Sequence, residues 1–145
     1  MITIEKRITC FIHQHHVMTL ATCRDREPYC CTCFYVYIDN LNLFVFTSDK
    51  DTKHIQDIAM QTSVAGAIAL ETSMIGKIRG IQLTGLIREL SGKELIIARK
   101  AYLMKFPVAV LKKTHLWGVE PDFIKMTDNR LGFGKKIIWK NQAKN

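Results

Sequence analysis

The chain has 145 residues, 48% of them hydrophobic and 23% charged. That is the size of one domain, read here as a single unit over 1–145. The composition excludes a disordered chain, a collagen-like repeat and a disulfide-stapled miniprotein, and no apolar run reaches the ~18 residues of a membrane helix. Lys and Arg number 21 against 13 Asp and Glu, a net charge of +8. Residues 135–145 hold four lysines and no acid, so half of the excess lies in a tail. No nucleic-acid reader motif accompanies the charge, so a nucleic-acid partner is not expected. No secretory leader opens the sequence, and the expected compartment is the cytosol.

Ile4, Ile8, Phe11 and Ile12 fall on one helical stripe with Thr3 as a cap, which predicts an amphipathic helix over about 4–15. VMTLATC (17–23) reads as a strand, RDREP as a turn and YCCTCFYVYI (29–38) as a long strand. Asp39-Asn40 is the expected tight turn, with LNLFVFT (41–47) as the returning strand. A short helix is expected to begin near Thr52. SVAGAIAL (63–70) is almost continuously apolar and is expected to be buried on both faces. IRGIQLTGLIREL (78–90) is a strand whose Gly80 and Gly85 mark bulges, coiling or the close approach of a ligand. A helix over 94–106 ends at Pro107. HLWGVE (115–120), FIKMT (123–127) and LGFGKKIIWK (131–140) complete the pattern as strands. Antiparallel strands with few helices predict an α+β fold built on a small barrel.

Three segments carry candidate chemistry. TSDKDTK (47–53) leaves a strand and enters a helix, where unpaired N–H groups, hydroxyls and lysines suit a phosphate, although the spacing is not that of a Walker loop. An ordinary capped helix with solvated lysines explains the same residues. In RGIQLTG (79–85), Gln82 can donate and accept along a heterocycle edge, or can simply lie on an exposed polar face. In LGFGKKIIW (131–139), glycine, aromatic and lysine can flank a flat ligand. His13, His15 and His16 gather at a helix end, where capping accounts for them. The five cysteines, Cys10, Cys23, Cys30, Cys31 and Cys33, are odd in number, and C-C-x-C lacks the C-x-x-C knuckle of zinc sites. They are expected to be reduced, metal-free, soft core side chains of low reactivity. No hydrolase elbow and no paired-carboxylate constellation is present.

The order TLATC, EPYCCTCFYVYID, LNLFVFTSDKDTKH, SVAGAI, IRGIQLTG, then TDNRLGFGKK and Trp139, resembles the FMN-binding split barrels related to pyridoxamine 5′-phosphate oxidase. Over about its full length the chain resembles their small bacterial YhbP-type branch. The resemblance implies a six-stranded antiparallel split β-barrel with flanking helices, a homodimer, and one FMN in each of two clefts between subunits. It places Thr47, Ser48, Thr52 and Lys53 at the flavin phosphate. Cys31, Thr32, Cys33 and Phe34 fall along the isoalloxazine, and Gln82 reaches the ring from across the barrel. Trp117, Asn129 and Lys135 then come from the partner or close the cleft. Two basic positions on the oxidase's second strand are replaced here by Cys31 and Val36, and the oxidase's Arg- and His-bearing C-terminal motif is missing. The expected function is therefore a flavin-dependent oxidoreductase of undefined substrate, without pyridoxamine 5′-phosphate oxidase activity. The alternative is a non-enzymatic split barrel that binds haem, a deazaflavin or a polyanion.

Overall fold

The computed structural model describes residues 4–141. The amphipathic stripe forms α1 (Lys6–Gln14), whose Ile8, Phe11 and Ile12 are buried. Glu5 precedes its first turn, and Thr3 lies outside the described residues. His15 Nδ1 lies 2.7 Å from the Phe11 carbonyl and His13 Nε2 lies 2.8 Å from Asp39, so both rings serve the helix end. β1 (Val17–Arg24) and β2 (Glu27–Ile38) are joined by Asp25 and Arg26, at φ 52° and 67°. Two successive positive φ values give the twist of a type I′ hairpin. The next turn differs from the Asp39-Asn40 expectation. Residues 39–41 make a short 3₁₀ turn and Asn42 takes the positive φ, its side chain accepting from Tyr37 Oη at 2.8 Å.

β3 (Leu43–Ser48), α2 (Lys53–Ile58), β4 (Ser63–Ala69), β5 (Arg79–Glu89), α3 (Gly92–Lys105), β6 (His115–Asp128) and β7 (Lys136–Lys140) follow. All pairings are antiparallel, in the order β3-β2-β1-β4-β5-β6-β7. β3 also pairs with the first part of β6, from Phe44–Val119 to Ser48–His115. Six strands therefore close into a ring, and β7 extends the second half of β6.

β6 corrects the expectation of two strands. It runs unbroken through Pro121 because Thr84 pairs with Phe123 and Gly85 with Pro121, leaving Asp122 as an extra residue in a bulge. Thr84 Oγ1 donates to Asp122 Oδ1 at 2.5 Å. A Cβ on Gly85 would strike the Glu120 carbonyl oxygen and meet Pro121 Cα at 2.9 Å, so the bulge requires glycine there.

Met18, Tyr35, Phe44, Phe46 and Ile81 fill the barrel, and α1 packs its apolar face against them. Tyr35 Oη donates to the Ile12 carbonyl at 2.6 Å. A second core lies outside the ring, where Ala98 and Tyr102 of α3 cover Val36, Val45 and Leu116. β4 is not buried on both faces. Val64, Gly66 and Ile68 point inward, whereas Ser63, Ala67 and Ala69 are exposed. Its outward alanines are apolar but small, so apolarity alone did not determine the face.

Candidate functional site

The loop between β3 and α2 is held from below. Trp117, on β6 and 7% exposed, donates its Nε1 hydrogen to the Ser48 carbonyl at 3.0 Å. Ser48 Oγ lies 3.0 Å from Thr52 Oγ1 and 2.8 Å from His54 Nε2, and Thr52 Oγ1 donates to the Asp49 carbonyl at 2.8 Å. Thr47 faces the other way, as strand alternation requires, and its hydroxyl donates to Tyr102 Oη on α3 at 3.4 Å. The Ser48 and Thr52 hydroxyls therefore come together, and Thr47 does not join them.

Its lysines are already engaged. Lys53 Nζ pairs with Asp57 at 2.5 Å, and that fully buried carboxylate also accepts from Thr22 Oγ1 at 2.9 Å. Lys53 holds the Asp57 carboxyl below the ordinary carboxylate range against the opposing cost of burial. Lys50 pairs with Glu89 at 3.2 Å, and Lys112 with Asp49 at 2.5 Å. Electrostatically the segment is neutralised by ion pairs rather than an array of free cations, and no side chain caps α2.

On β2, Cys31 and Cys33 share the face toward α2, while Thr32 and Phe34 share the exposed face. Cys31 Sγ and Cys33 Sγ are 3.7 Å apart. The Cys33 thiol hydrogen-bonds the Cys31 sulfur and His54 adds a hydrogen bond and charge. Against burial, these lower Cys31 to about 5. Cys33 is pushed strongly upward, first by that neighbour and then by burial. Cys10, Cys23 and Cys30 are exposed, so only Cys33 matches the expectation of buried core thiols. Val36 lies on the opposite face of β2 from Cys31, beneath α3, so these two positions do not meet at a common anion. Among the described residues no group of three or more His, Cys, Asp or Glu is arranged to hold a metal ion.

The remaining expected site residues lie elsewhere. Gln82 is exposed on the outer face of β5, in a row of paired residues that runs Thr32–Thr19–Ala67–Gln82–Lys125 across five strands. Thr19, Ala21, Ala65, Ala67 and Thr84 floor a shallow groove of ≈ 350 Å³ beside it. Asn129 braces the β6–β7 turn, donating to the Ile75 carbonyl at 2.8 Å and accepting from Gly134 N at 3.0 Å. Lys135 is exposed on the same turn. Thr47 pairs with Leu116 at the start of β6, and Asn129 follows its end, about 40 Å further along at ~3.3 Å per residue. Within one chain the candidate residues therefore fall at two ends. Trp117 supports the chain's own loop from below and also lines a cavity of ≈ 520 Å³ with Lys50, Ile55, Ile87 and Glu89.

No protein-family model matches the sequence. The chain is 40% identical over 133 residues to a UPF0306 protein of Klebsiella pneumoniae (strain 342), covering 92% of this chain and 90% of that one. It is 39% identical over 133 residues to the UPF0306 protein YhbP of Escherichia coli O157:H7, covering 91% and 90%. The chain belongs to the UPF0306 family. Its fold is that of the split-barrel proteins. A haem-binding protein from Mycobacterium smegmatis superposes with TM-score 0.77 at 18% identity, over 92% of this chain and 56% of that one. A FAD-binding protein from Mesorhizobium loti gives 0.70 at 14%, over 83% and 89%. A putative pyridoxamine 5′-phosphate oxidase from Listeria innocua gives 0.66 at 12%, over 81% and 93%.

For this UPF0306 chain, sequence reasoning missed three residues that shape the loop. His54 stands inside the quoted TSDKDTKH motif, directly after Lys53, but was not singled out as a partner of Ser48 and Cys31. Asp57 lies four residues after Lys53, a spacing that brings side chains together on a helix. Tyr102 gave no signal, because its contacts with Thr47 and the Phe34 carbonyl join segments far apart in sequence.

Proposed function

We propose that this chain is a flavin-dependent oxidoreductase of the cytosol that binds FMN as a homodimer. The observation that carries the reading is the division of the candidate residues between two ends of β6, beside an outer face of mostly small side chains bordered by Lys125. A two-fold axis lying in that face and crossing the strands sets the Ser48–Lys53 end of one copy beside the Gln82–Asn129 end of the other. Exposed Phe34, Val17 and Leu86 add apolar area to the same side. FMN, when bound, supplies the hydride chemistry. This chain's part is to hold the phosphate with the Ser48 and Thr52 hydroxyls and with the first N–H groups of α2, which no side chain caps. Lys53 contributes only in competition with Asp57. Fold neighbours described as FAD-binding and as a putative pyridoxamine 5′-phosphate oxidase support a flavin.

The neutralised lysines weaken the grip on a flavin phosphate, which favours a second reading, a non-enzymatic ligand-binding split barrel, and a haem-binding fold neighbour supports haem as its ligand. The absorbance spectrum of the purified protein, an FMN titration and sedimentation decide between the two. The first reading expects a yellow, dimeric protein, and Ala67→Arg on the outer face should give a monomer that loses FMN. A monomer that retains FMN refutes the shared site. A Soret band, or no affinity for FMN, selects the second reading.

A further inference from the structure

The inner face of β2 presents two thiols, and the first turn of α2 presents an imidazole beside them. Cys31 is half-buried and Cys33 buried behind it, so an incoming molecule meets Cys31 first. Their sulfurs, 3.7 Å apart, are in contact without being bonded. His54 is held in place by Ser48 Oγ at 2.8 Å and Thr52 Oγ1 at 3.4 Å. Among the described residues no third metal ligand joins the two sulfurs. Residues i and i+2 of a strand have Cα atoms about 6.7 Å apart, the wide end of the range of about 4.4–6.8 Å that a disulfide spans. The Cβ atoms must close to about 3.5–4.5 Å as well, so forming the bond kinks β2 locally at Thr32 and loosens its pairing with Thr19 there.

We propose that Cys31 and Cys33 form a thiol–disulfide exchange site, with Cys31 as the attacking sulfur, Cys33 as the resolving sulfur, and low-molecular-weight disulfides as the substrate class. Cys33 and His54 are the groups that act on the charge of Cys31, and together they hold it as a thiolate at neutral pH. The thiolate attacks one sulfur of the disulfide. A Cys31–sulfur bond forms, the substrate S–S bond breaks, and one thiolate leaves. Cys31 is then neutral, which removes the chief cause that kept Cys33 protonated. Cys33 gives its proton to a leaving thiolate and attacks Cys31, releasing the second thiolate, which takes a proton from water. Two electrons have passed from the protein sulfurs to the substrate. This site does not depend on a flavin.

The pH dependence of the rate is diagnostic. A thiolate with pKa about 5 gains in ionised fraction but loses nucleophilicity, with a Brønsted slope of about 0.4–0.5. Near pH 7 these effects offset for Cys31 against an ordinary exposed thiol, whereas near pH 5.5 Cys31 leads by about 20-fold. The test treats the reduced full chain with oxidised glutathione at both pH values and follows each cysteine by peptide mass spectrometry. Cys31 should react about 20-fold faster than exposed Cys30 near pH 5.5, and the final product should be a Cys31–Cys33 disulfide that retains no glutathione. Cys33→Ser should accumulate the Cys31–glutathione adduct. Cys33→Ala repeats that test without placing a hydroxyl at a buried position. Equal rates at Cys31 and Cys30 near pH 5.5, or an adduct that persists in the parent chain, overturns the proposal.

Discussion

Trp117 joins the barrel core to the β3–α2 loop, and Trp117→Phe separates its two roles. The phenyl ring keeps most of the packing beside Phe46, with which Trp117 pairs across the strands, but it has no N–H. The Ser48 carbonyl loses the donor that sits 3.0 Å away. Leaving a buried acceptor unpaired costs about 1–3 kcal/mol. Trimming indole to phenyl removes roughly 40 Å² of apolar area, about 1 kcal/mol more at ~25 cal/mol per Å². The expected loss is about 2–4 kcal/mol, a fall of about 1–2 M in the urea midpoint for a slope near 2 kcal/mol/M. Far-UV circular dichroism should follow the unfolding, because fluorescence then reports only Trp139. Hydrogen exchange over 48–54 should accelerate as well, since Ser48 positions both Thr52 and His54. A midpoint within about 0.3 M of the parent, with unchanged exchange over the loop, refutes the claim that Trp117 supports the site.

Two further outcomes follow from the packing and the charges. Gly85→Ala places a methyl against the backbone of Glu120 and Pro121, which cannot rotate away, and should cost about 1–3 kcal/mol or more. Thermal melting should then fall by roughly 3–10 °C, and an unchanged midpoint would contradict the bulge geometry. Asp57 and Asp128 have carboxyls held below the usual range, chiefly by Lys53 and Arg130. A depressed folded pKa stabilises above the unfolded value and is lost as pH falls, so urea stability should drop on acidification below about pH 4. Lys53→Met should flatten that drop, and a parent whose stability is constant on acidification rules the pairing out.

Much of this architecture follows from periodicity, and the failures have identifiable causes. α1 was legible because Ile8, Phe11 and Ile12 fall on one stripe. β1, β2, β3 and β5 were legible as β-rich runs between polar turns. The expected strands 115–120 and 123–127 are one, because Pro121 stays in the ladder and the extra Asp122 lets the pairing resume beyond it. The outward alanines of β4 read as core because composition does not distinguish a small exposed side chain from a small buried one. The loop was visible as a polar run between strand and helix. Its neutralisation was only partly visible, in the i, i+4 spacing of Lys53 and Asp57, because Glu89 and Lys112 reach Lys50 and Asp49 from far along the chain.

The register of β2 decides what the site can do. Its side chains alternate, so Cys30 and Thr32 face the groove side while Cys31 and Cys33 face His54. A one-residue slip would exchange the two sets, removing the paired thiols from the loop and placing Cys30 and Thr32 in the barrel. The two-residue turn at Asp25 and Arg26 prevents this. Both residues take positive φ, and the ladder runs without irregularity from Arg24–Glu27 to Val17–Phe34. The interior reinforces it, because Tyr35 can reach the Ile12 carbonyl only from the inward parity. Turn geometry and a buried tyrosine thus fix the register, and the register places two cysteines separated by one residue on the face that carries the imidazole.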